Sequence, residues 1–181
     1  IFPMFILYFI IASIITTTGY ATYDFDTWPE LSKMVLVILM FIGACASSTG
    51  GGIKVSRIVI LFKTISKELR MIIHPRAVKK IRMDGHVVAH EVIRSTNVFI
   101  AVYFVIFFIS VLLVSVDEHD FSTNFTAVAA TFNNIGPGMA AVGPTKNFDL
   151  FSPFSKCVLM FDMLAGRLEL FPMLILLTPA S

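Results

Sequence analysis

The run NVFIAVYFVIFFISVLLVSV, from Asn97 to Val116, decides the fold class. It contains no Asp, Glu, Lys or Arg. At ~1.5 Å rise per residue, a helix of this length covers the ~30 Å hydrocarbon core of a bilayer. Composition agrees: of 181 residues, 56% are hydrophobic and 14% charged, with mean hydropathy +0.84. A soluble domain is about one quarter charged, so the chain is displaced toward the membrane class. So little charge excludes a disordered chain, and ten Gly without a triplet period exclude a collagen-like one. Cys45 and Cys157 sit inside apolar runs and read as small buried hydrophobes, not as a disulfide framework. A net charge of +2 gives no reason to expect a nucleic-acid partner. Because Ile1 opens in mid-apolar sequence, the chain is expected to be a piece of a longer protein.

Four further apolar stretches flank this span. Leu31 to Phe62 is long enough to cross but is interrupted by SSTGGGIK, Ser47 to Lys54. Phe154 to Leu177 is also long enough, yet carries Asp162, Gly166, Arg167 and Glu169. Ile1 to Ile15 and Phe121 to Phe132 are too short to span and read as re-entrant or buried helices. Charge sorts the sides. Between Lys54 and Arg94 lie ten basic residues against three acidic ones, so residues 54–94 are expected to be cytoplasmic. The stretches Tyr20 to Lys33 and Asp117 to Lys156 hold seven acids against three lysines. They belong together on the opposite side, where acids raise the local cation concentration.

The two halves repeat. In each, a short apolar helix ends in a glycine turn, TTTGYA at Gly19 and NNIGPG at Gly136. In each, a glycine about thirty residues later, Gly50 or Gly166, is expected to break the next apolar run. Both copies run the same way about an axis along the membrane normal, as repeats around a pore would. Non-helical backbone at membrane depth is tolerated only inside protein or beside water. Thr17-Thr18-Gly19-Tyr20 and Asn134-Ile135-Gly136-Pro137 are therefore candidate filter turns, whose carbonyls replace the hydration shell of a potassium ion. A ring needs about four such strands, and this chain supplies two. The glycines Gly50, Gly51 and Gly52 predict an unwound intramembrane loop below them. STGGGIK lacks the GxxxxGK spacing of a nucleotide loop. Arg167 near mid-span costs at least ~2.5 to 3.5 kcal/mol by insertion scales, and so reads as functional or as paired with Asp162 or Glu169. His74, His86, His90 and His119 show no metal-like clustering and read as solvated.

TTTGYATYDFDTWPE (Thr16 to Glu30), STGGGIK (Ser48 to Lys54), ELRMIIHPRAV (Glu68 to Val78), NNIGPG (Asn133 to Gly138) and AGRLELFP (Ala165 to Pro172) together resemble the Trk/Ktr/HKT superfamily. Within it, the match is to TrkH-type membrane subunits of the bacterial Trk system. The resemblance implies an all-α integral membrane fold of potassium-channel-like repeats: membrane helix, re-entrant pore helix, filter loop, membrane helix. It makes this a partial chain, with 1–65 the end of the third repeat, 66–92 the basic cytoplasmic linker and 93–181 the fourth repeat. It implies potassium at Thr18, Gly19, Ile135 and Gly136, an intramembrane gating loop at Gly50 to Gly52, and Arg167 in the pore below the filter. It further implies a homodimer in the bacterial inner membrane, multi-pass and embedded in the lipid bilayer. A cytosolic TrkA-like regulatory ring would carry NAD(H) or an adenine nucleotide, and this chain itself would hold no cofactor. The alternative reading is a proton- or sodium-coupled transporter using Asp162, Arg167 and Glu169. A non-transporting scaffold with glycines for helix packing is a further rival. An enzyme is excluded, because no nucleophile, base and metal cluster fall together.

Overall fold

The computed structural model describes residues 2–43, 51–74, 81–83 and 85–168. The chain is mostly helical. Two-residue strands are the exception, β1 (Ile42–Gly43) with β2 (Ile53–Lys54) in parallel, and β3 (Arg82–Met83) with β4 (His86–Val87) antiparallel. The helices are α1 (Phe2–Ile15), α2 (Glu30–Phe41), α3 (Val55–Ile73), α4 (His90–Val114), α5 (Phe121–Phe132) and α6 (Pro153–Leu168). Among the described residues one helical stretch, His90–Asp117, is long and apolar enough to cross a membrane. It contains the sequence-predicted span and begins seven residues before it, at His90.

α4, α5 and α6 form the larger core. The twelve residues of α5 reach about 18 Å, too short to cross a bilayer, and Ala127, Val128, Ala129, Ala130 and Phe132 are fully buried. Three alanines in that set let the neighbouring backbones come close, the usual basis of helix packing where lipid tails are as apolar as leucine. Phe107 of α4 meets Phe41 and Phe125 edge-on, each with ring centroids 5.2 Å apart. Each such pair is worth about 0.5–1.5 kcal/mol beyond area burial. At its N-terminus α5 is capped by Asp120, whose carboxylate accepts from the Thr123 N–H at 3.1 Å and the Thr123 hydroxyl at 2.5 Å. The Thr123 hydroxyl, with backbone N–H groups behind it, holds the Asp120 carboxyl below the usual carboxylate range.

A smaller core joins α1 to α2. Ile10, Ile14, Phe25, Leu36 and Met40 are buried there, and Ile135 and Met139 from the second half of the chain close it. The two halves are also tied outside the helices. Asp26 accepts from the Ala140 N–H at 3.0 Å and lies 4.0 Å from both Lys33 and Lys146. Thr145 donates to Asp24 at 3.3 Å.

Three sequence expectations need correction, the first being Cys157, which is exposed instead of buried. The helix is not broken at Gly166: α6 continues through it to Leu168. Gly166 is required by packing instead, since a Cβ there would run into the Phe132 carbonyl oxygen and stand 2.9 Å from Asn134 Nδ2. His119 is not simply solvated; its ring packs edge-on against Phe151 at 5.3 Å and its Nε2 lies 3.3 Å from the Leu150 carbonyl oxygen.

Candidate functional site: two glycine turns and a glycine segment

α1 and α5 end in turns built alike. After α1, the Thr17 N–H donates to Ile14 at 3.1 Å, Thr18 to Ser13 at 2.9 Å and Gly19 to Ser13 at 3.4 Å. After α5, the Asn134 N–H donates to Thr131 at 3.0 Å, Ile135 to Ala130 at 2.9 Å and Gly136 to Ala130 at 3.4 Å. The dihedrals match as well. Thr17 and Asn134 hold left-handed φ of 54° and 55°, and Gly19 and Gly136 hold φ of 78° and 104°. A positive φ costs glycine nothing and strains any residue with a Cβ, which explains the glycine in each turn. Left-handed Thr17 is the more costly choice, because its side chain branches at Cβ.

The turns also touch. A Cβ on Gly19 would overlap the Ile135 carbonyl oxygen and stand 3.2 Å from Pro137 Cδ. Ile135 is buried, while Thr18, Tyr20 and Gly136 are exposed. A cavity of about 680 Å³ opens beside them, bordered by Thr17, Thr18, Asn134 and Gly136, with Asp149 and Lys156 at its edge. Lys156 Nζ and Asp149 Oδ1 are 3.0 Å apart. Among the described residues no group of three or more His, Cys, Asp or Glu could hold a metal ion. The oxygens on offer at the turns are backbone carbonyls, threonine hydroxyls and the Asn134 amide, all of them neutral.

The glycine segment lies against Asn133, the residue that precedes the second turn. Gly51 is buried, and a Cβ on it would overlap the Asn133 carbonyl oxygen. A Cβ on Gly52 would stand 3.0 Å from Asn133 Oδ1. Asn133 is itself fixed at both ends of its amide, accepting from the Tyr103 hydroxyl at 2.6 Å and donating to Ala129 at 2.8 Å. Asn134 Nδ2 donates to the Met163 carbonyl of α6 at 3.1 Å. Arg167 is exposed in the last turn of α6. Asp162, five residues earlier, is fully buried; its Oδ1 accepts from the Ser110 hydroxyl at 2.7 Å and its Oδ2 has no hydrogen-bond partner. Gly50 and Glu169 lie outside the described residues. The sequence alone assigns no role to Tyr103 or Ser110, nor to Asn133 beyond its place in NNIGPG. The signal for Tyr103 is a neutral phenol within an apolar run, since a buried tyrosine hydroxyl usually has a partner.

The family model for TrkH, described as a cation transport protein, matches residues 4–180. The chain belongs to the TrkH family. This is a family of transport proteins, not of enzymes. The Trk system potassium uptake protein TrkH of Escherichia coli K12 is 39% identical over 173 residues, covering 95% of this chain and 35% of that protein. The Trk system potassium uptake protein TrkG of the same organism is 38% identical over 171 residues, covering 93% and 34%. The crystal structure of the potassium transporter TrkH from Vibrio parahaemolyticus superposes with a TM-score of 0.82 at 41% identity, covering 92% of this chain and 35% of that one. The TrkH fold is therefore shared, and the chain spans about a third of the length of the relatives it matches.

Proposed function

We propose that this chain contributes two adjacent turns to a potassium-selective path for uptake across the bacterial inner membrane. In this reading Thr17, Thr18, Gly19 and Tyr20 form one filter strand and Asn134, Ile135, Gly136 and Pro137 the next. Potassium is held by backbone oxygens at Thr18, Gly19, Ile135 and Gly136. The single observation that supports it most is the matched hydrogen bonding and dihedrals of two turns that meet backbone to backbone at Gly19 and Ile135. Gly50, Gly51 and Gly52 then obstruct the path from below, and Arg167 adds a positive charge there. Residues 1–65, 66–92 and 93–181 serve as the end of one repeat, the basic cytoplasmic linker and a further repeat. By the names of its relatives, the substrate is potassium and the setting a Trk system. A homodimer and a cytosolic nucleotide-binding ring on the basic side complete that assembly.

One observation favours a second reading, a proton- or sodium-coupled transporter. Asp162 is a fully buried carboxyl with one oxygen unpartnered, the kind of group that exchanges a proton or small cation. Radioactive rubidium uptake by the intact protein in proteoliposomes separates the two. The filter reading expects competition by potassium with little by sodium, and flux without an imposed proton gradient. Flux that requires that gradient and disappears in Asp162→Asn favours the second.

A further inference from the structure

We infer that Tyr103 is a positioning residue for the glycine segment, acting through Asn133. The inference rests on the reading that Gly51 and Gly52 obstruct the path beneath the second turn. Asn133 is fully buried and its side chain is held from two sides, by the Tyr103 hydroxyl at 2.6 Å on Oδ1 and by donation to Ala129 at 2.8 Å from Nδ2. The same Oδ1 faces Gly52, and the Asn133 carbonyl oxygen faces Gly51, each so closely that a Cβ on either glycine would collide or nearly so. Asn133 is therefore a principal seat of the glycine segment, with Gly43 and Asn134 also beside it, and the Asn133 side chain is oriented from α4. The Tyr103 hydroxyl bonds to Asn133, the residue before the turn that would carry the ion. The Tyr103 ring is packed edge-on to Phe132 at 4.7 Å and to Phe104 at 5.5 Å, which holds the phenol oxygen beside Asn133.

Removing that hydroxyl leaves Asn133 Oδ1 buried without its donor. The oxygen then seeks another donor, and the seat of Gly52 moves with it. Because Asn133 also leads into Asn134, a purely structural role for Tyr103 would disturb the turn and the glycine segment together. A positioning role changes how often the segment clears the path and leaves the turn's choice of ion alone.

The test uses the intact protein in proteoliposomes and measures initial rubidium uptake against rubidium concentration, with sodium as competitor. In Tyr103→Phe the maximal rate rises about fivefold, the shift that one ordinary hydrogen bond makes in an equilibrium. KM and sodium competition stay as they were. A second variant, with 3,5-difluorotyrosine placed at position 103, keeps the ring and donates a stronger hydrogen bond, so its maximal rate falls below that of the unsubstituted protein. Opposite signs in the two variants support the inference. An unchanged or reduced maximal rate in Tyr103→Phe, the same sign in both, or a change confined to sodium competition overturns it. Absence of uptake by the unsubstituted protein refutes the transport reading itself, and the inference with it.

Discussion

Gly19 and Gly136 occupy matched positions, yet alanine should affect them unequally. Both hold positive φ, 78° and 104°, so a Cβ at either strains the backbone by about 1–3 kcal/mol. At Gly136 nothing lies within 4 Å of the added carbon. Strain is then the whole cost, about 1–3 kcal/mol. At Gly19 the added carbon overlaps the Ile135 carbonyl oxygen and crowds Pro137, so one turn must move off the other. Overpacking of this kind adds about 1–3 kcal/mol. The predicted gap between Gly19→Ala and Gly136→Ala is therefore about 1–3 kcal/mol, the size of that overpacking contribution. Thermal unfolding of the intact protein in detergent reads the gap as a lower midpoint for Gly19→Ala. Rubidium uptake with sodium competition reads the same displacement as a greater loss of selectivity. Equal midpoints, or Gly136→Ala the worse of the two, would refute the claim that the turns meet at Gly19.

Three other perturbations follow from contacts between the halves and within the bundle. Asp26→Ala removes the acceptor for the Ala140 N–H together with two lysine contacts, and should lower the unfolding midpoint by the equivalent of about 1 kcal/mol. No change in midpoint would show that the outer tie is idle. Asp162→Asn keeps an acceptor for Ser110 without leaving a charge short of partners, so the filter reading expects rubidium uptake to persist and stability not to fall. Loss of uptake in a folded variant would move the account to coupled transport. The Asp120 cap gives a pH dependence. Its carboxyl titrates lower in the folded protein, so its contribution is complete above the ordinary carboxylate range and is lost as pH falls through that range toward the folded value. Asp120→Asn should therefore lower the midpoint at neutral pH and converge with the unsubstituted protein in acid, and parallel curves would contradict this.

Much of the architecture is legible in the residues because bilayer physics leaves few alternatives. A chargeless run as long as Asn97–Val116 has little option but a long apolar helix, and α4 is one. TTTGYA and NNIGPG mark the ends of α1 and α5 because each turn sets a glycine at positive φ, where glycine is favoured, a local preference that sequence displays. Contacts between the turns are not local. Nothing in the sequence near Gly19 announces Ile135, and Asp26 finds Ala140 only after the chain has folded back on itself. Gly166 was misread for a related reason. A glycine inside a helix weakens it by about 1 kcal/mol, which suggests a break until the Phe132 carbonyl is seen to need the space. The Tyr103–Asn133 bond joins α4 to the end of α5, and spacing along one helix cannot reveal a partner on another.

The central claim is that the two turns select potassium. Rubidium uptake into proteoliposomes holding the intact protein, competed in turn by potassium and by sodium, tests it most directly. The account predicts that potassium suppresses rubidium uptake while equal sodium leaves it nearly untouched; equal suppression by both ions would contradict it.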